Sequence, residues 1–220
     1  MGTIIKLRKG ENVNLTKQFV GQLDWRVGLK WNMKREKFDL DVMVLQLDNT
    51  VDNGGKCIDV DHLTGYMNAT DPDRPNLDKL IFTTPAGNQG FCDPEKAVLH
   101  MGDCRDGEAG ATQNDDDEVV ELHLGKINPK TKAILILANI YDMDGHGYNF
   151  GMVSGSELRV YKQGSDVPEI GLDLKEDFSG YRSLEAVEFY LHNNEWKMRA
   201  LIQGGTEDLD EELKKFGIPC

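Results

Sequence analysis

The sequence predicts an all-β protein: a two-sheet antiparallel β-sandwich with a short C-terminal helix and long acidic loops. Three observations carry that expectation. Apolar and polar residues alternate with period two along most of the chain, the pattern of strands with one buried face. Turn residues punctuate these runs at short intervals, as at Asn53-Gly54-Gly55, Asn128-Pro129, Gly164-Ser165 and Asn193-Asn194. Helical periodicity is scarce, which leaves sheet-on-sheet packing as the way to bury the apolar faces.

Taken in order, Phe38–Leu47 places Phe38, Leu40, Val42 and Val44 on one face. Residues 68–98 are rich in Pro, Asp and Gly and read as an enlarged loop, with a short helix near Leu77–Ile81. Val119–Leu124 sets Val120, Leu122 and Leu124 against Glu121 and His123. Ile134–Ile140 is apolar almost throughout and reads as a central strand buried on both faces. Glu157–Tyr161 and Val187–His192 alternate, and Glu195–Ile202 sets Trp196, Met198, Ala200 and Ile202 opposite Glu195, Lys197 and Arg199. The terminal segment 206–217 reads as a helix. Thr206 is its expected N-cap, acids fill its first turns, Lys214 and Lys215 its last, and Gly217 follows. No internal repeat is visible, so residues 1–220 read as one domain.

The chain has 220 residues, a net charge of −13 and a pI near 4.8. That balance opposes nucleic-acid binding, which needs Lys/Arg stripes, and favours cations or basic partners. No apolar run is long enough for a signal peptide or a transmembrane helix, so a cytoplasmic location is expected and the chain is not itself transmembrane. Cys57, Cys92, Cys104 and Cys220 show no C-x-x-C spacing. Free thiols in a reducing cytosol are the default reading, and a Cys92–Cys104 bridge is the alternative.

The most distinctive segment is His100–Glu118, HMGDCRDGEAGATQNDDDE. Asp103, Asp106, Glu108, Asp115, Asp116, Asp117 and Glu118 crowd around three glycines with Arg105 as the one base. Such a loop needs solvent, basic neighbours or a cation to relieve its repulsion. Calcium takes six to eight oxygen ligands, which closely spaced carboxylates and glycine-freed carbonyls can supply. Asp39 and Asp41, two apart, share a strand face, and Asp142, Asp144 and Asn149 follow the central strand. Acids therefore gather at three strand ends. The spacing is not that of an EF-hand. A solvated acidic loop and a cation site both remain open on the residues alone.

Several blocks resemble the TerD family of tellurite-resistance and stress-response proteins. They are Leu7–Leu15 (LRKGENVNL), Val27–Trp31 (VGLKW), Phe38–Asp41 (FDLD), Met101–Glu118, Tyr148–Val153 (YNFGMV), Asp173–Phe178 (DLKEDF), Phe189–Ala200 (FYLHNNEWKMRA) and Gln203–Gly205 (QGG), all in one order. The resemblance implies a β-sandwich that binds calcium (Ca²⁺). Position by position it implies a metal role for Asp103, Glu108, Asp116, Asp117 and Glu118, for Asp39 and Asp41, and for Asn149. Cys104 stands where the family has Asn, and Asp106 where it has Thr, so Asp106 could add a carboxylate to the set. The link Ala109–Asn114 is longer than the family's.

Other candidates read more plainly. His62, His100, His123, His146 and His192 show no metal-ligand spacing along the chain. G-x-S-x-G and P-loop motifs are missing, and the pairing of Asp39 with Asp41 is too crowded with acids for glycoside hydrolysis. The sequence thus predicts a non-enzymatic calcium-binding scaffold or signalling module. Its loop would be ordered by the ion, and protein partners, a membrane-associated stress complex among them, would read the surface. The alternative is a calcium-dependent binding module for a nucleotide, sugar or lipid head group.

Overall fold

The computed structural model describes residues 3–33, 39–65, 76–102, 116–141, 145–174 and 178–219. Strands β1 (Ile5–Leu7) and β2 (Asn12–Asn14) lead through the one-turn helix α1 (Leu15–Gln18) to β3 (Asp24–Met33) and β4 (Asp39–Leu47). There follow β5 (Leu63–Gly65), β6 (Ile81–Thr83), β7 (Gln89–Cys92), β8 (Val98–His100), β9 (Glu118–His123) and β10 (Ala133–Tyr141). The chain ends with β11 (Val153–Lys162), β12 (Ile170–Asp173), β13 (Ser183–His192), β14 (Glu195–Gly205) and helix α2 (Leu209–Lys215).

Among the described residues these strands form an eight-stranded sheet, ordered β1-β12-β11-β3-β9-β8-β7-β6, and a six-stranded sheet, ordered β2-β14-β13-β10-β4-β5. The expected sandwich is therefore present, with one correction. The larger sheet is mixed, because β1 runs parallel to β12. A parallel partner is possible there because the two strands are far apart in sequence and need no tight turn.

Alternation explains the layers. Val27, Leu29 and Trp31 of β3, Val120 and Leu122 of β9, and Leu158 and Val160 of β11 meet Leu40, Val42 and Val44 of β4 and Ile134, Ile136, Ala138 and Ile140 of β10 between the sheets. The other face of the smaller sheet carries Met43, Leu45, Leu47, Leu135 and Leu137, covered by Leu213, Phe216 and Ile218 of the α2 segment. Strand β10 contributes to both layers, as its unbroken apolar run requires. Trp25 and Trp31 are fully buried, and Phe19 meets Trp25 edge-on at 5.1 Å; each such aromatic contributes about 1.5–3 kcal/mol by its burial.

Two further expectations change. The described part of the predicted loop 68–98 contains short strands: the hairpin β6–β7 and the start of β8 extend the larger sheet. Three- and four-residue strands are too short to show a period, and so they hid among turn residues. The terminal helix begins later than Thr206. Strand β14 runs on through Gly205, and Asp208 caps α2 by accepting from the Glu211 N–H at 3.0 Å. Both residues have capping side chains, and the length of β14 decides between them. The short helix near Leu77 is a 3-10 turn, Leu77–Leu80.

Register defines two poles. Asp39 lies opposite Tyr141, Glu118 opposite Leu29, and Val153 opposite Met33, so the β3–β4, β8–β9 and β10–β11 connections share one end. At the other end Leu47 pairs Ala133, Leu45 pairs Leu63 and Val98 pairs Leu122. The poles lie roughly 25 Å apart along β4 at the usual rise of a strand.

Candidate functional site

The first pole is the acidic one, and its described carboxylates are settled in three different layers. Asp116 lies on the outer face of the larger sheet, over Gly28, where a Cβ would overlap its carboxyl group. Arg159 holds it, donating from Nε to Oδ1 at 2.9 Å and again from Nη2. Burial pushes the Asp116 carboxyl up, while the charges of Arg159 and Arg26 pull it down. Beside it Tyr161 is pushed up to about 12, by burial first and then by the charge of Asp116. Asp117 takes another route: its Oδ2 accepts the Trp31 backbone N–H at 2.9 Å, extending the strand ladder.

Glu118 points inward. It lines a small void of about 10 Å³ between the sheets, among Leu29, Val42, Val120 and Ile136. Its Oε2 lies 3.1 Å from Nε2 of His100, and both side chains are 1% exposed. Asp41 follows the parity of Met43 and Leu45 and so belongs to the outer face of the smaller sheet, opposite Asn139. Asp39 begins the same strand on the same face. Asn149 caps the 3-10 turn Phe150–Met152, its Oδ1 accepting from the Gly151 N–H at 3.0 Å. Asp103, Asp106 and Glu108, with Cys104, Asp142 and Asp144, lie outside the described residues. The acids thus share a pole, yet Asp116, Glu118 and Asp41 occupy separate layers.

At the β1–β12 edge of the larger sheet lies a groove of about 640 Å³, lined by Lys6, Arg8, Lys9 and Arg159 and by the core residues Leu172 and Ile202. In a chain of net charge −13 this concentration of cations stands out. Arg159 joins it to Asp116.

At the second pole lies a group that sequence spacing did not reveal. One ligand atom from each of His62, Asp93 and Glu95 falls within 4.8 Å of the other two. His62 ends the 3-10 turn before β5, Asp93 follows β7, and Glu95 sits in the β7–β8 turn. No local motif joins them. The available signal was the D-x-x-H pair Asp59 and His62, because a 3-10 turn stacks residues three apart. Cys92, next to Asp93, is a free thiol as expected by default, and its burial pushes it up; Cys104, its partner in the alternative bridge, is outside the described residues. No helix among the described residues is long and apolar enough to cross a membrane.

Comparison with known proteins places this arrangement. The chain is 32% identical over 218 residues to general stress protein 16U of Bacillus subtilis, covering 97% of each chain. It is 29% identical over 217 residues to tellurium resistance protein TerD of Serratia marcescens, again covering 97% of each. Among solved structures, it resembles a homologue of telluride resistance protein (TerD), SCO6318 from Streptomyces coelicolor A3(2), with a TM-score of 0.58 at 15% identity over 86% of this chain and 94% of that one. That likeness concerns the fold. The TerD domain model matches residues 3–79 and 87–216. The stretch between the two matched segments, 80–86, contains β6, the outermost strand of the larger sheet. On the match of nearly its whole length, the chain belongs to the TerD family of tellurite-resistance and stress-response proteins.

Proposed function

We propose that the chain is a non-enzymatic, cytoplasmic calcium-binding protein of the stress-response type. The ion would sit at the acidic pole, where it neutralises the loop between β8 and β9 and sets the surface that protein partners, a membrane-associated complex among them, recognise. The observation that carries the reading is the convergence of three acidic strand ends on one pole, those of β4, β9 and β10. Hard oxygen donors in such number suit calcium rather than a softer ion. Because Arg159 already neutralises Asp116, that residue acts as the anchor of the loop. Asp117, Asp39 and the loop residues Asp103, Asp106 and Glu108 are the ligands this reading favours.

Calcium titration by calorimetry, with thermal melts, tests the proposal. Saturable uptake is expected, with about 2.7 kcal/mol of added stability at one hundred times the dissociation constant. Asp117→Ala combined with Asp39→Ala is expected to abolish uptake and leave a folded sandwich. No heat and no melting shift at millimolar calcium would overturn the reading.

A second reading rests on the basic groove. Lys6, Arg8 and Lys9 suit a small anion such as a nucleotide or a lipid head group, and Arg159 would couple it to the acidic pole. Calcium-dependent binding of a fluorescent nucleotide, lost in a Lys6→Ala/Arg8→Ala/Lys9→Ala variant, would favour it over a scaffold without ligand.

A further inference from the structure

The pole opposite the acidic loop holds a mixed nitrogen and oxygen cluster. Its donors come from two turns, the 3-10 turn before β5 and the β7–β8 connection. Asp59 caps the 3-10 turn Val60–His62, and its Oδ1 lies 2.6 Å from Nδ1 of His62. The other ring nitrogen, Nε2, is 2.9 Å from Oε2 of Glu95. Asn128, from the β9–β10 connection, donates to Oε1 of Glu95 at 2.7 Å and lies 3.4 Å from Nε2 of His62. Asp93 is fully buried. Its Oδ1 accepts the N–H groups of Ala97 and Val98 at 2.7 and 2.8 Å, and Oδ2 accepts from Gln46 at 2.8 Å. Gln46 is itself fixed by Thr131, whose hydroxyl donates to its Oε1 at 2.9 Å.

We propose that this cluster is a binding site for a divalent transition-metal cation, zinc by preference, held by Nε2 of His62 and one carboxylate oxygen each from Asp93 and Glu95. Four features point there. The donor set includes an imidazole, which suits zinc and its neighbours and not calcium or magnesium. The carboxylate on Nδ1 is the partner that a metal-bound histidine normally has, fixing ring and tautomer so that Nε2 faces the ion. Asp93 is held rigid by three donors and keeps further lone pairs for a metal. Glu95 is partly exposed, its side chain 30% accessible beside His62 at 5%, which gives the ion a way in.

The geometry requires little movement. Tetrahedral zinc at 2.0–2.1 Å from its ligands sets them about 3.4 Å apart. Donor atoms already within 4.8 Å reach that spacing when each side chain shifts by less than about 1 Å. Asn128 or a water would complete the fourth position. On binding, the proton shared between Nε2 of His62 and Oε2 of Glu95 leaves to solvent, and the ion replaces that contact.

The proposal is independent of the calcium reading, because the two poles share no residue. The test uses chelator-stripped full-length protein titrated with zinc chloride against a chromophoric zinc indicator. The expected result is one equivalent bound with proton release, unaffected by saturating calcium and by Asp117→Ala. Glu95→Gln, at a partly exposed position that keeps the side-chain shape, is expected to weaken uptake at least 100-fold while circular dichroism stays unchanged. His62→Ala is expected to abolish it. Asp59→Asn acts through the ring and is expected to cost about 10–100-fold. No zinc uptake by the parent, or uptake that survives both His62→Ala and Glu95→Gln, would overturn the proposal and leave the cluster as a closed ion-pair network.

Discussion

At the residue scale, Gly28 shows how one missing Cβ arranges the acidic pole. The Asp116 carboxyl occupies the space a side chain would fill, and only there does it meet Arg159. Gly28→Ala is expected to displace Asp116 from its guanidinium and cost about 1–3 kcal/mol, below the usual loss for a broken buried pair because Arg159 is 21% exposed. Urea denaturation measures it; an unchanged midpoint would show that Asp116 is seated by other contacts. The sequence displayed the acid Asp116 but not its fate. Nothing local announces that Arg159, forty-three residues on, will be its partner. The same holds for His62, whose partners Asp93 and Glu95 arrive from another sheet. Charge clusters contiguous along the chain are legible, whereas those assembled by register are not.

At the scale of elements, the contact between β13 and α2 stores a pH dependence. Glu185 faces Glu212 and Lys215 of the helix and Glu188 on its own strand, and its pKa is pushed from 4.5 up to about 7, by burial first and then by the charge of Glu212. The folded state therefore keeps a proton that the unfolded chain releases from about pH 4.5 upward. Stability falls as pH rises through the window from about 4.5 to 7, by about 3 kcal/mol at most. Glu185→Gln removes the ionisation and is expected to add about 1–3 kcal/mol at pH 8, with little change near pH 4. Denaturant midpoints across that range decide it; equal gains at both ends would remove Glu185 as the cause. Strand β14 was legible because its eleven residues display a period, and β10 because its nine residues carry an almost unbroken apolar run. The hairpin β6–β7 was not, since three or four residues cannot, and the start of α2 depended on where β14 stopped.

At the scale of the whole molecule, a net charge of −13 over 220 residues gives general self-repulsion as well as a local site. The two respond differently to ions. Raising sodium chloride from about 10 to 150 mM shortens the screening length from about 30 to 8 Å and is expected to raise the melting temperature by a few degrees. Calcium at a few millimolar, with ionic strength held constant, is expected to add a further shift that Asp117→Ala with Asp39→Ala removes and sodium does not reproduce. If calcium does no more than sodium, the acidic pole is a solvated surface.

The pairing of β1 with β12 and of β2 with β14 has a consequence in time. Ile5 finds its partner at Ile170, and Val13 at Met198. During synthesis the first strands wait for roughly 165 to 185 further residues before either sheet can receive them. At ordinary elongation rates that is about ten to thirty seconds or more. Through that interval the segment Ile5–Asn14 has no native ladder, while β3 and β4 already await strands beside them. The early chain is thus an unclosed seam, and the last strands to emerge fasten it. Folding is expected to be slow and to finish at its beginning.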